Sequence, residues 1–334
     1  MKLTIAVPIY HASAASLNRL FDSIEKSVCC SHEILLIFDG SKDNEEAMGL
    51  RFANEQAIRR IVKKHEGVSA ARNKAIDEAR GDWIMFCDAD DYLTPNAIHD
   101  LLACGEKNHA DIVFSNHYRE YGKRKEKIAF FKKEETYSES SIPCIKDVLS
   151  VGSDQGTVWG KIFRAEFLKD NSLYFDTNLE NGEDQELMVR AATYNPKVVV
   201  CPFFTYVYVI NRKSSVRNYD EDYVVKINKT IDTIKKDILL TGYGNELKNC
   251  INSYILDRLI LIMLNYVFNT QKTLFEQKKA FYIVRHSQVY DRVLSENINT
   301  SFNGMRMLLL FLIKKGLFHC SRLIICGRNI LHHV

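Results

Sequence analysis

Three aspartates fall within four residues in Phe86-Cys87-Asp88-Ala89-Asp90-Asp91, directly behind an apolar run from Trp83 to Cys87. Carboxylates this close repel one another unless a cation or a helix N-terminus neutralises them, and an all-oxygen donor set favours a hard ion such as Mg²⁺ or Mn²⁺. The plainer alternative is a strand-to-helix turn in which one Asp caps a helix beginning near Thr94-Pro95. A second acidic pair, Glu183-Asp184, precedes a helical stretch from Gln185 to Ala192, where the helix dipole alone would favour acids. Asp39, in Phe38-Asp39-Gly40-Ser41-Lys42-Asp43, closes another apolar run.

Strands must present these acids, and the sequence supplies them. Leu3 to Ile9 and Glu33 to Phe38 are apolar, β-branched runs that read as buried strands. Between them Leu17, Leu20, Phe21, Ile24 and Val28 recur at helical spacing after Ser13 and Ser16, either of which can cap, which makes a β-α-β unit. A weaker strand is expected at Arg59 to Val62, then a helix from Val68 to Arg80 closed by Gly81 in the C′ position, then the strand Trp83 to Cys87. This alternation predicts an α/β fold, a mostly parallel, Rossmann-like sheet whose ligands collect at the carboxyl ends of its strands. Arg119 to Glu135, with seven basic and four acidic residues, reads as a solvated hairpin. From about Tyr219 long helical segments take over, Tyr254 to Phe268 the clearest, so residues 1–216 and a helical region 217–334 are expected to be separate domains.

Val68-Ser69-Ala70-Ala71-Arg72-Asn73, followed by Gly81 through Asp91, resembles in order and spacing the core of the family 2 glycosyltransferases, which have the GT-A fold. Val7-Pro8-Ile9-Tyr10 looks like that family's opening strand, and Phe38 to Asp43 like its nucleotide-binding turn. Trp159-Gly160-Lys161-Ile162-Phe163 and Glu183-Asp184 fit its acceptor half, so that the resemblance spans residues 3–216. It implies inverting transfer from a nucleotide diphosphate sugar, a UDP-sugar, to a hydroxyl of a growing cell-surface glycan, a lipid-linked one among the acceptors to be expected. It further implies that Asp39 binds the uracil, that Pro8 and Tyr10 line the nucleoside, and that Arg72 approaches the phosphates, with Asp88 beside them. Asp90 would ligate the Mn²⁺ or Mg²⁺ that bridges the diphosphate. Asp184 would accept the proton of the attacking hydroxyl, supported by Glu183. Trp159 and Lys161 would face the acceptor, while Arg212 and Ser215 would close over the diphosphate.

Composition narrows the rivals. A chain of 334 residues, 46% hydrophobic, with five prolines and fifteen glycines, is neither disordered nor collagen-like. Forty-five Lys and Arg against forty-two Asp and Glu leave +3, too mild for a nucleic-acid binder. The nine cysteines are scattered without a CxxC, and no early apolar run suggests a signal peptide, so reduced thiols in the cytoplasm are expected. A metal-dependent nucleotidyltransferase would carry a glycine-rich phosphate loop near its N-terminus, and Val7 to Ser13 holds no glycine. A non-catalytic membrane- or glycan-binding module would have no use for Asp39, Asp90 and Asp184 together.

Beyond Glu296 there is no acidic residue, while Arg306, Lys314, Lys315, Arg322 and Arg328 punctuate apolar blocks at Met307 to Ile313, Leu317-Phe318 and Leu323 to Ile325. Each block is far below the ~20 residues of a spanning helix. Either these form a core helix pair, or they lie in the plane of an anionic leaflet, where basic residues contribute about 1 kcal/mol each. The one-sided charge favours the second, and with it a peripheral position on the inner face of the plasma membrane.

Overall fold

The computed structural model describes residues 2–40, 55–138, 140–210, 220–296, 302 and 304–331. Two compact units are present, Met1–Val148 with Gln155–Asn211, and Leu149–Asp154 with Arg212–Val334. In the first, β1 (Leu3–Ile9), α1 (Ala14–Ser27), β2 (His32–Asp39) and β3 (Ile58–Lys63) lead to α2 (Val68–Glu78), β4 (Trp83–Phe86), β5 (Tyr92–Leu93) and α3 (Ala97–Asn108). Then come β6 (Ile112–Tyr121), β7 (Arg124–Ile128), β8 (Glu135–Tyr137), α4 (Ile142–Val148), β9 (Lys161–Arg164), α5 (Ala165–Asp170), α6 (Glu183–Thr193) and β10 (Val198–Val209). The sheet order is β3-β2-β1-β4-β9-β6-β10-β5, with β7 beside β6 and β8 beside β10. β3, β2, β1 and β4 are parallel, as are β6 and β10, while β9 runs antiparallel between β4 and β6.

The local rules explain most of these elements. Ser13, rather than Ser16, caps α1, its hydroxyl accepting the Ser16 amide at 3.1 Å. The helix buries Leu17, Leu20, Phe21 and Ile24 in one cluster with Leu3, Ile5, Val7 and Ile9, the alternate residues of β1 that share a face. The charged stretch is the expected hairpin, Tyr121 pairing with Arg124 around Gly122, with β7 largely exposed. One expectation fails: α2 stops at Glu78, and Gly81 is not its C′ residue. Gly81 is needed for close approach instead, since a Cβ there would lie 2.4 Å from the Thr4 nitrogen.

The second unit is helical, with α7 (Tyr223–Leu240), α8 (Gly244–Ile262), α9 (Leu274–Arg285), α10 (Gln288–Ser295), α11 (Gly304–Lys314) and α12 (Phe318–Leu331). A π turn, Met263–Val267, extends α8, which begins ten residues before the Tyr254 expected from periodicity. Among the described residues Gly244–Val267 is the one helix long and apolar enough to cross a membrane, and 56% of its most apolar window is buried within the fold. α8 packs against α7, α10 and α11, and its Asp257 accepts from Arg258 at 2.7 Å and Arg306 at 2.6 Å, which makes it the core helix of this unit.

Beneath β1 the buried Glu33 accepts from the Thr4 hydroxyl at 2.7 Å, Arg59 Nη1 at 2.8 Å and the Arg80 amide at 2.8 Å. Burial works to raise this carboxyl, but Arg59, Thr4 and the amide outweigh it and hold it below the ordinary carboxylate range. A lowered folded value means that the contribution is complete above the unfolded value of about 4.3 and fades as pH falls through the folded one. Glu33→Gln should therefore cost about 2 kcal/mol at neutral pH, and its deficit against the parent, read from urea midpoints, should narrow as pH falls below the unfolded value of about 4.3. A deficit that does not change with pH would exclude the ionised pair as its source.

Candidate active site

β1 pairs with β2 from Leu3 to Ile9 but with β4 only from Leu3 to Ala6. Ala6 O accepts the Cys87 amide at 3.0 Å. Backbone groups alternate sides along a strand, so the next amide directed at β4 would belong to residue 8, and Pro8 has none. The strands part at their carboxyl ends, where the chain, having run outward from β1 to β3, returns to β4 on the other side of β1. Ligands bind at such reversals. Tyr10 follows β1 at one lip, and Asp88 follows β4 at the other.

Asp39 ends β2 and is buried. Its Oδ1 accepts Lys63 Nζ at 2.6 Å and the Glu66 amide at 3.0 Å; Oδ2 accepts the Gly67 amide at 2.8 Å and lies 2.9 Å from His65 Nδ1. Burial works to raise this carboxyl, but Lys63 and the two amides hold it low. A carboxylate offers about four acceptor sites, so a ligand N–H must displace one of these donors. The accessible one is His65, whose side chain is 54% exposed and stacks on Tyr10 at 4.3 Å.

The same loop starts α2, which carries Arg72 inward to 4% exposure. Arg72 Nη1 donates to Asp184 Oδ1 at 2.6 Å and to Glu183 Oε1 at 3.4 Å, and Nη2 donates to Asp88 Oδ1 at 3.0 Å. Burial opposes its charge, but Asp184, Asp88 and Glu183 more than offset that and push its ionisation further up. The guanidinium expected to approach phosphate thus has both terminal nitrogens on carboxylates. Glu183 and Asp184 open α6 behind Gly182, and Asp184 Oδ2 accepts the Val158 amide at 3.2 Å. Burial, aided by the charges of Glu183 and Asp88 and opposed by Arg72, pushes Asp184 up to about 7.

Each acid of the Asp88 to Asp91 turn has its own environment. Asp91 is buried, accepting the Tyr206 hydroxyl at 2.9 Å and the Val209 amide at 2.8 Å, and burial pushes its carboxyl upward. The Tyr206 hydroxyl in turn accepts the Asp88 amide at 3.0 Å. No aspartate of the turn caps a helix: β5 intervenes, and the N-cap position of α3 is Asn96, which makes no side-chain cap bond. Asp88 and Asp90 are half-buried, and Arg19 fixes the Asp90 carbonyl at 2.7 Å. Among the described residues no three His, Cys, Asp or Glu side chains converge as a metal cage. One or two carboxylates do suit Mg²⁺ or Mn²⁺ when substrate phosphates and water complete the shell, and Asp90 with Asp88 fits that type of site.

Residues 4–146 match the model of glycosyl transferase family 2. That stretch, which runs from β1 into α4, carries the sequence pattern of the family. It is 24% identical over 324 residues to the putative glycosyltransferase EpsH of Bacillus subtilis (strain 168), across 93% of this chain and 91% of that protein. It is also 24% identical over 261 residues to the poly(ribitol-phosphate) beta-N-acetylglucosaminyltransferase TarS of Staphylococcus aureus (strain Mu50 / ATCC 700699), where it spans 44% of the relative's length. The crystal structure of S. aureus TarS 1-349 in complex with UDP-GlcNAc matches 98% of this chain and 92% of that one, with a TM-score of 0.66 at 18% identity. The first unit therefore has the GT-A fold of the family 2 glycosyltransferases, and a helical region follows it.

Two residues expected to face an acceptor do not present a surface. Trp159 is 6% exposed, stacked on Tyr206 at 4.9 Å and Tyr208 at 5.3 Å, with His117 edge-on at 4.9 Å. Lys161 is 2% exposed, its ammonium 4.9 Å from the Phe114 ring centroid. Both follow from β9 being inserted in the sheet between β4 and β6, which turns an expected wall into interior. Arg212 and Ser215 lie outside the described residues. Sequence reasoning missed Tyr206, which anchors the aspartate turn, Lys63 on Asp39, and Asn73, whose amide exchanges hydrogen bonds with the Phe175 backbone at 2.9 and 2.7 Å. Only the alternation of Tyr206 with Tyr208 along β10 could have hinted at the first.

Because Arg72 is the charge that pulls Asp184 down, Arg72→Met is expected to raise the Asp184 ionisation by about one pH unit or more. The acid limb of the pH–activity profile should move up with it, and a carboxyl NMR titration of Asp184 gives the direct reading. An unchanged titration in a folded variant would show that the ion pair contributes nothing to that carboxylate.

Proposed function

We propose that the chain is an inverting, metal-dependent glycosyltransferase that moves a sugar from a UDP-sugar to a hydroxyl of a cell-surface glycan, with lipid-linked acceptors included. The observation that carries this reading is the juxtaposition, through Arg72, of Asp184 at 2.6 Å and Asp88 at 3.0 Å beside the crevice between β1 and β4. A carboxylate ionising near neutrality sits next to the acidic turn that suits a diphosphate-bound cation. TarS, with its UDP-GlcNAc complex and its polyol-phosphate acceptor, lends support for the donor and acceptor classes.

In this reading the acceptor hydroxyl approaches the anomeric carbon from the face opposite the diphosphate. The new C–O bond forms as the bond to the diphosphate breaks with its electron pair, and Asp184 takes the hydroxyl proton. Arg72, which Glu183 shares, holds Asp184 in place, and the Val158 amide orients its second oxygen. Mn²⁺ or Mg²⁺, held by Asp90 with Asp88 adjacent, would supply Lewis-acid neutralisation of the departing diphosphate. Tyr10 offers an aromatic face for the base, and Asp39 receives its N–H once His65 yields.

A panel of nucleotide sugars with Mn²⁺, scored by nucleotide release, tests the donor class; release of pyrophosphate from nucleoside triphosphates instead would select the nucleotidyltransferase. Asp184→Asn should leave donor affinity unchanged while lowering kcat by about 10² to 10⁴. Asp90→Ala should abolish stimulation by Mn²⁺, and retention of metal-dependent turnover in that variant would refute its assignment.

A further inference from the structure

The end of the helical unit presents apolar side chains outward. α11 buries Leu309, Leu310, Leu312 and Ile313, yet Leu308 and Phe311, on one helical face with Lys315, point away from that core, Phe311 being 53% exposed. Leu317, in the turn to α12, continues the exposed surface. α9 is fastened beside this turn: Arg285 Nε donates to Ile313 O at 2.8 Å, its Nη2 to Lys314 O at 2.7 Å, and the exposed Tyr282 donates to Gly316 O at 3.3 Å. A helix that had only to complete a core would turn polar residues outward here.

The hairpin itself carries charge of one sign. Residues 302–331 contain five Lys or Arg and no Asp or Glu, and of these Arg306 is paired with Asp257 of α8. Lys314 and Lys315 are exposed, and the Lys315 ammonium lies 5.9 Å from the Phe311 ring, so cations and apolar groups are interleaved. A second copy is a poor occupant, because a two-fold interface sets the same lysines face to face. An anionic bilayer accepts both components, apolar side chains at the acyl boundary and ammonium groups among the phosphates.

We infer that the α11–α12 hairpin is a docking surface for anionic lipid bilayers, with Leu308, Phe311 and Leu317 entering the interface and Lys314 and Lys315 at the level of the phosphates. This holds the chain reversibly on the membrane face that displays anionic lipid, and does not depend on the donor chemistry proposed above.

The full chain is sedimented with vesicles of phosphatidylcholine, with or without phosphatidylglycerol. It should bind the mixed vesicles at low salt, and at least about tenfold less to phosphatidylcholine alone or at about 1 M salt, where the Debye length is about 3 Å. Leu308→Glu with Phe311→Glu changes exposed positions only, so the thermal midpoint should hold while vesicle binding falls at least about tenfold. Independently, Phe311→Trp should shift its emission to the blue on mixing with anionic vesicles. The inference is overturned if the full chain stays in the supernatant at low salt, if the Phe311→Trp emission is indifferent to lipid, or if the chain is a dimer that the double glutamate variant splits without any effect on lipid binding.

Discussion

A guanidinium with 4% exposure is the constraint on which the first unit depends. Such a charge is tolerated only when paired and hydrogen-bonded, and Arg72 finds its partners in Asp88, sixteen residues on, and Asp184, one hundred and twelve residues on. α2, the end of β4 and the start of α6 must therefore meet at one point. The Asn73 amide, exchanging two hydrogen bonds with the Phe175 backbone, fixes the segment that leads to α6, and the Phe175 ring lies 5.3 Å from the Arg72 guanidinium carbon. Removing Arg72 would leave three partly buried carboxylates without their shared cation.

Within the acidic turn, residues of one type acquire different properties from their surroundings. Asp91 is sealed beneath Tyr206 and Val209, Asp88 is held on Arg72, and Asp90 stays half-buried with its carbonyl on Arg19. Tyr206 links two of these environments, donating to Asp91 and accepting from the Asp88 amide, and Trp159 stacks against it from behind. An aromatic layer, Trp159 stacked on Tyr206 and Tyr208, lies behind this arrangement. Asp39 follows the same principle at β2, where contacts from Lys63 at the end of β3 and from His65, Glu66 and Gly67 just after it make it the support of the start of α2.

The helical unit obeys a different logic. Its core helix carries an ion-paired Asp257 between Arg258 and Arg306, while the last two helices combine an inward aliphatic face with an outward surface that is apolar and basic. Neither property alone would be informative, since isolated exposed apolar residues are common on globular proteins. Their coincidence in a stretch with no acidic residue is what the inferred docking on anionic lipid rests on.

Periodicity and β-branched runs sufficed to place β1, α1, β2 and α2, because each is specified by side chains that neighbour one another along the chain. The acidic motif after β4, with Val68 to Asn73 before it, was also enough to point to the family whose model matches residues 4–146. Where α2 ends was not legible: the Gly81 that looked like a helix stop is required by the passing Thr4 backbone, a contact across seventy-seven residues. Nor were the fates of Trp159 and Lys161, since only the antiparallel insertion of β9 between β4 and β6 makes that segment interior. The residues and their chemistry were in the sequence. Which aspartate would be sealed, which paired and which left half-open was decided by strands and helices that meet only in the folded chain, because burial and charge partners set how a carboxyl group ionises and sequence neighbours alone do not.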